Sequence, residues 1–499
     1  MARGAADEAG TTAAEGSTDL LGTPQAGPAA IRGGALRVAG YAAGVLLSVG
    51  SAALLFRHLG VVDGGRYVTV LALVATVQGL TDFGLTAIGM RELSVREGPA
   101  REQVVRAVIG LRVLLTALGG AGAVAFAALA GYGGVLVLGT ALAAIGLLVQ
   151  NLQSTLGIAL MVEMRLGWIT LLELARQTIT VVLIATLVVA GAELLPFFAI
   201  PIPAAAVSLG LTAMLVWGEI PFAPSFERSA WGPLLREILP FAVATAAAAL
   251  YFRLAIVMLS LIASARETGY FAAPFRVVEV LVVVPQLLVT AAFPIFARAA
   301  RDDRSRLGYG VQRMFEACTL LGGWIALMLA LGAPLLIEVV AGPEFEPSVD
   351  VLRIQALTVF ALFALTAWSY ALLSLREHRA ILVISLTTLA LNCVAVAILG
   401  TAHGAEGAAL GTFSADFTAL VLLGLWLARA HPDMRPQLRV IPLVLVAGGG
   451  AALLSFLGLP QLPLLVAATA VYWAMLLVLR AIPEEIFVEI RRLRGRSVT

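Results

Sequence analysis

RYVTVLALVATVQGLTDFGLTAIGMRELSVREGPAREQVVR, residues 66–106, decides the fold. From Tyr67 to Met90 the run is apolar and carries one charge, Asp82; Arg91, Arg96, Arg101 and Arg106 then arrive at every fifth position. A helix that crosses a bilayer needs ~20 apolar residues rising 1.5 Å each, and 66–90 meets that length. Arginines gathered directly after such a run mark the loop that stays on the cytoplasmic side.

The unit recurs along the chain. Spanning helices are expected at 36–57, 66–90, 106–130, 134–161, 167–191, 194–218, 236–262, 268–297, 308–337, 350–375, 379–400, 404–428, 439–458 and 461–480, about fourteen by the length criterion. Pro201, Pro203, Pro240, Pro274, Pro285 and Pro294 fall inside them and predict kinks of the kind membrane helices tolerate. Composition agrees: 60% of the residues are hydrophobic and 13% charged, where soluble domains hold ~45–50% and ~25%. The fold class is therefore all-α and polytopic, two pseudo-symmetric six-helix bundles with two further helices after them.

Arginine placement sets the orientation. The even-numbered loops hold Arg91, Arg96, Arg101, Arg106, Arg165, Arg228, Arg236, Arg298, Arg301, Arg304, Arg306, Arg376, Arg379, Arg429, Arg435 and Arg439; the odd ones hold Arg57, Arg66 and Arg266. This alternation predicts a plasma-membrane protein with both termini cytoplasmic. It also predicts that loop 338–349 faces out, with Ser348 an accessible probe position. Residues 1–35, rich in Ala, Gly, Thr and Glu, read as a disordered cytoplasmic tail; 481–499, with Phe487, Val488, Ile490 and Leu493 among arginines, read as an amphipathic segment on the inner surface.

A weak internal repeat divides the remainder. Asp63-Gly64-Gly65-Arg66-Tyr67 and Glu267-Thr268-Gly269-Tyr270-Phe271 both place an acid two residues before a Gly and an aromatic residue two after it. Each precedes a long helix and an arginine-rich loop. The expected units are a bundle over 36–218, a second over 236–430, and a helix pair over 439–480, with a cavity between the bundles.

Enzyme chemistry is not signalled. The chain lacks a GK[ST] phosphate loop, H-E-x-x-H and G-x-S-x-G, and its outer loops are short. Cys318 and Cys393 sit in apolar runs with no metal-ligand spacing, so no cofactor or metal is expected. Basic residues are all Arg and are spread over the loops, which does not fit nucleic-acid binding.

Charges inside the membrane point to the site. An ionisable group at the bilayer centre costs ~2.5–3.5 kcal/mol on insertion scales. Arg112, Arg313 and Arg353 lie near helix ends, where they are expected to snorkel. Arg253 and Arg276 lie deeper, with Glu279 three residues after Arg276. Glu173 and Arg176 repeat that spacing, and Asp82, Glu316 and Asp416 complete the deep set. Arg253 has no acid three or four residues away and is expected to be an unpaired cation, a natural anion ligand.

Three segments resemble one family. Leu59-Gly60-Val61-Val62-Asp63-Gly64-Gly65-Arg66-Tyr67 resembles the first-loop signature of bacterial polysaccharide biosynthesis flippases, although the family more often has Phe at the position of Gly64. Gly269-Tyr270-Phe271-Ala272-Ala273-Pro274-Phe275-Arg276 resembles their eighth helix, and Ala341-Gly342-Pro343-Glu344-Phe345 their loop before helix ten. The family is part of the multidrug/oligosaccharidyl-lipid/polysaccharide exporter superfamily. The resemblance covers roughly 36–430. It implies a flippase that carries a lipid-linked oligosaccharide, on a polyprenyl diphosphate, from the inner to the outer leaflet by alternating access. The residues expected to hold the substrate are Arg253, Arg276, Glu279, Arg57 and Arg66; Asp82 and Asp416 are candidates for ion coupling. Expected partners are the glycolipid, membrane lipid, and functionally a glycosyltransferase or polysaccharide polymerase. The alternative is an ion-coupled drug or metabolite exporter of the same superfamily; a membrane glycosyltransferase and a scaffold fit less well, given the short loops and the deep charges.

Overall fold

In lipid a backbone N–H or C=O finds no water, so a crossing chain closes its hydrogen bonds within itself as helix. The computed structural model describes residues 26–82, 84–227, 231, 232, 235, 250, 251, 253–302 and 304–481, and every regular element among them is a helix. In order they are α1 (Ala26–Asp82), α2 (Leu85–Val95), α3 (Gly98–Leu129), α4 (Gly134–Val162), α5 (Leu166–Val189), α6 (Leu194–Ala199), α7 (Pro201–Leu215), α8 (Arg253–Ile262), α9 (Ala265–Asp302), α10 (Arg304–Val340), α11 (Ser348–Ser374), α12 (His378–Ala430), α13 (Val440–Ala452) and α14 (Gln461–Val478).

Among the described residues, eleven helical stretches are long and apolar enough to cross a membrane. Two of them are hairpins. α1 breaks at Gly60, with φ 68° and ψ −172°, and α12 at His403 and Gly404, the glycine at φ 55°. Only glycine takes such angles without a Cβ penalty. A Cβ built on Gly64 would lie 3.0 Å from the Phe56 ring, and one on Gly411 2.8 Å from the Val396 nitrogen. Residues so far apart in sequence meet only if the helix reverses. Each hairpin therefore supplies two crossings, as expected for 36–57 with 66–90 and for 379–400 with 404–428. The loop expected at 58–65 is itself helical on both sides of Gly60. The expected helix 236–262 is described only from Leu250, so the count of fourteen extends over residues outside the description.

Several boundaries move outward. α1 is helical from the first described residue, Ala26, rather than from 36. α9 and α10 run to Asp302 and from Arg304, so the arginine-rich loop 298–306 is largely helical. The expected kink near Pro201 appears as the junction between α6 and α7. The amphipathic segment 481–499 and most of the tail 1–35 lie outside the described residues. Ser348, expected as an accessible loop position, is fully buried as the first residue of α11; the turn Pro343–Phe345 folds inward and buries the Phe345 ring.

Packing follows chain order. α1 packs on α3, α4 and α5, and α4 on α3 and α7; α9, α10, α11 and α12 pack on one another, with α13 and α14 against α10. The α1 hairpin also packs along α9 and touches α10, which makes a seam between the two groups. Phe315 and Trp368 stack at 4.4 Å in the second group, and the Tyr472 hydroxyl donates to the Leu320 carbonyl at 2.8 Å, tying α14 to α10. Leu129, Val189, Phe456 and Val478 remain exposed at helix ends and flanks, where lipid is the solvent.

Candidate functional site at the seam

The three segments singled out in the sequence meet at one end of the seam. The Phe345 ring packs edge-on to Phe56 at 5.5 Å and to Tyr270 at 6.4 Å. Arg57 donates through Nη2 to the carbonyls of Glu338 at 2.8 Å and Val339 at 3.0 Å. Gly65 and Gly269, equivalent positions of the repeat, face each other: a Cβ on Gly65 would lie 2.1 Å from the Ala265 oxygen and 2.7 Å from the Gly269 nitrogen, and one on Gly269 would lie 2.2 Å from the Val61 oxygen. Glu267 accepts from the Ala405 N–H at 2.8 Å, which brings in the turn of α12. At this Gly60 end α1 and α9 meet by backbone-to-backbone contact.

Further along the seam lies a charge cluster. α8 carries Arg253; α9 carries Arg276 and Glu279 one turn apart, on the same face. Arg276 Nη1 donates to Glu279 Oε2 at 2.7 Å, and Arg253 Nη2 to Glu279 Oε1. Arg276 Nη2 reaches across the seam to Ser48 Oγ on α1 at 3.1 Å. One carboxylate thus serves two guanidiniums, and the cluster keeps an excess positive charge. The side chains are 26%, 40% and 23% exposed for Arg253, Arg276 and Glu279, so none of the three is fully enclosed by protein. The expectation that Arg253 is unpaired is corrected here. Its acid comes from the neighbouring helix, which spacing along one helix cannot reveal.

The other expected residues stand apart from this cluster. Arg57 is engaged at the Gly60 end. Arg66 pairs with Asp63 at 2.9 Å and borders a cavity of about 820 Å³ shared with His58, Tyr132, Glu193 and Ser260. Asp82 is neutralised: its Oδ1 accepts from Arg112 Nη2 and from Thr86 Oγ1, the latter at 2.8 Å. Arg112 is 3% exposed and also donates to Thr155. The expectation that Arg112 snorkels is therefore wrong. An arginine this far along α3 finds a carboxylate nearer than water. Asp416 is buried on the second limb of α12, where it accepts from the Tyr251 hydroxyl; among the described residues it has no cationic partner. Cavities of about 30 and 270 Å³ flank it, lined by Gln355 and Thr358 on one side and by Gln286, Ser369 and Thr388 on the other.

Two contributors escaped the sequence reading. Ser48 is one hydroxyl in an apolar helix and carries no signal except its step of four from Gly44. Tyr251 stands in an apolar run; its place two before Arg253 was the available hint.

Comparison with known proteins is consistent with this architecture. The chain is similar to a lipid II flippase MurJ structure in an inward closed conformation, at 11% identity and a TM-score of 0.72 over 87% of this chain and 96% of that one. It is also similar to a multidrug resistance MATE family transporter of the MOP superfamily in an inward-facing conformation, at 13% identity and TM-score 0.65 over 78% and 94%. A MATE multidrug transporter, DinF-BH, gives 17% and 0.57 over 81% and 96%. These likenesses establish the fold. Among curated proteins nothing matches. Residues 31–300, which span α1 through nearly all of α9 and hold the whole charge cluster, match the polysaccharide biosynthesis protein family. With more than half of its length matched, the chain belongs to that family.

Proposed function

We propose that this protein is a flippase that moves a lipid-linked oligosaccharide from the inner to the outer leaflet. The carrier is a polyprenyl diphosphate, and the protein acts with the glycosyltransferases or polymerase of a cell-surface polysaccharide. The observation that carries this reading is the Arg253–Glu279–Arg276–Ser48 cluster. It is a part-open, net-positive group at the seam of a family tied to polysaccharide assembly. Guanidinium forks match phosphate oxygens, and a site of low dielectric strengthens each contact. Arg57 and Arg66 lie too near the Gly60 end to share the head group in this conformation; they belong to its exit side.

The arginine alternation supports a plasma-membrane orientation with both termini cytoplasmic, the Gly60 end outward. On that orientation α1 and α9 are in contact on the outer side. The units 36–218 and 236–430 would then rock about the seam. Of the two acids proposed for ion coupling, Asp416 is the better supported, since Asp82 is already paired with Arg112. An ion-coupled exporter of cations draws support from the same Asp416 and its cavity, but the excess positive charge at the seam disfavours a cationic cargo.

Complementation of a flippase-deficient strain tests the reading. Losing one charge-assisted contact costs ~1.5–3 kcal/mol, so Arg253→Ala and Arg276→Ala should each lower glycan export about ten- to a hundredfold at normal membrane abundance. Arg253→Lys should recover part of it. Normal export at normal abundance in both alanine variants would end the proposal.

A further inference from the structure

A second polar space lies inside the first helix group, nearer the arginine-rich end. It holds about 330 Å³ between α1, α2, α3, α4, α5 and α7, a size within the ~300–1,000 Å³ of small-molecule sites. Gln78, Thr86, Asn151, Gln153, Ser154 and Ser208 supply amides and hydroxyls to its wall. Within a membrane-spanning segment each such group is costly unless bonded. Here several are not fully used. The Gln78 side chain bonds to no described residue, and Asp82 is bonded through Oδ1 alone. The Nε of the deeply buried Arg112 is without a partner.

The charge on the wall is balanced. Asp82 is matched by Arg112, and Glu173, at the mouth, by Arg176. Such a space selects neither a cation nor a diphosphate. Amides, hydroxyls and a held Asp–Arg pair present donors and acceptors side by side. That is the complement of a ring of hydroxyls, each of which both donates and accepts.

A polar row joins this space to the seam cluster. Glu173 and Gln177 lie one turn apart on α5; Gln177 Nε2 donates to the Gly44 carbonyl of α1 at 2.8 Å; Ser48, one turn on from Gly44, accepts from Arg276. Two helical turns and two hydrogen bonds separate the sites by roughly 15–20 Å, a distance a few linked sugars bridge. The geometry points to a second subsite: the cavity bounded by Gln78, Asp82, Arg112 and Gln153 takes an uncharged sugar unit of the cargo while the seam arginines hold its anionic head. This rests on the flippase reading and adds the glycan's own contact to it.

The test uses the full-length protein in nanodiscs, titrated separately with methyl glycosides of hexoses and N-acetylhexosamines and with farnesyl diphosphate. At least one glycoside should bind. The paired substitution Gln78→Leu, Gln153→Leu should weaken it tenfold or more and leave farnesyl diphosphate unchanged, and Arg276→Ala should do the reverse. If the paired variant does not fold, alkylation of Ser154→Cys replaces it, and the bound glycoside should slow that reaction. No glycoside binding, binding unaltered by the paired substitution, alkylation indifferent to the glycoside, or displacement by glycerol at equal hydroxyl concentration would each overturn the subsite. Failure of farnesyl diphosphate to bind strikes the anionic-head reading alone.

Discussion

At the scale of single residues, exposure decides what an ion pair is worth. Arg112 is 3% exposed and its partner Asp82 is 46% exposed, whereas Arg353 and Asp350 pair at 2.7 Å with both side chains exposed. Removing the half-exposed acid strands the buried Arg112 charge, for which the ~3–5 kcal/mol of a fully buried pair is an upper bound; an exposed pair contributes ~0–1 kcal/mol. Asp82→Asn should therefore lower the thermal midpoint of the purified protein clearly, and adding Arg112→Leu should restore most of it. Asp350→Asn should leave it unchanged. Equal midpoints for Asp82→Asn and Asp350→Asn in a fluorescence melt would refute this ranking. The i, i+3 partners Arg276 and Glu279 were legible because one helix face determines them. Arg253–Glu279 and Arg112–Asp82 were not, because each crosses between helices whose relative placement no local spacing encodes.

At the scale of elements, the repeat has a concrete meaning. Its two glycines, Gly65 and Gly269, let α1 and α9 approach until backbone meets backbone. A methyl group at either position has no room, and the partner is carbonyl or amide rather than a side chain that can swing away. Gly65→Ala and Gly269→Ala should each hold the Gly60 end apart. Spin labels at Asp63→Cys and Glu346→Cys, with Cys318 and Cys393 replaced by Ala, read the separation by pulsed dipolar spectroscopy. The distance distribution should move outward in both variants; an unchanged distribution would show that neither glycine sets it. The matching acids and aromatic residues of the two loops were visible in the sequence, but their face-to-face contact was not. The reversal between 57 and 66 was legible from the polar residues His58, Asp63 and Arg66; its narrowing to a break at Gly60 inside a helical stretch was not.

For the whole molecule, topology is the testable quantity. Apolar length carried the order of the described helices well, because bilayer thickness and backbone hydrogen bonding constrain every crossing in the same way. It carried side-chain burial poorly. Ser348 sits in a short polar stretch and is nonetheless enclosed, so the useful probe is its exposed neighbour Glu346. Glu346→Cys should react with a membrane-impermeant maleimide in intact cells, and Arg435→Cys only after permeabilisation. The opposite pattern would invert the proposed orientation and the direction of transport with it.

Glu279 has one further consequence. Because it already occupies both guanidiniums, an arriving diphosphate does not enter a vacant socket; it exchanges with a resident anion that stays tethered at full local concentration. Binding is then a swap between two contacts of similar strength, and its net affinity is small by construction. A carrier that must let go of its cargo once per cycle gains from this. Replacing the resident, as in Glu279→Gln, should produce a protein that grips harder and turns over more slowly.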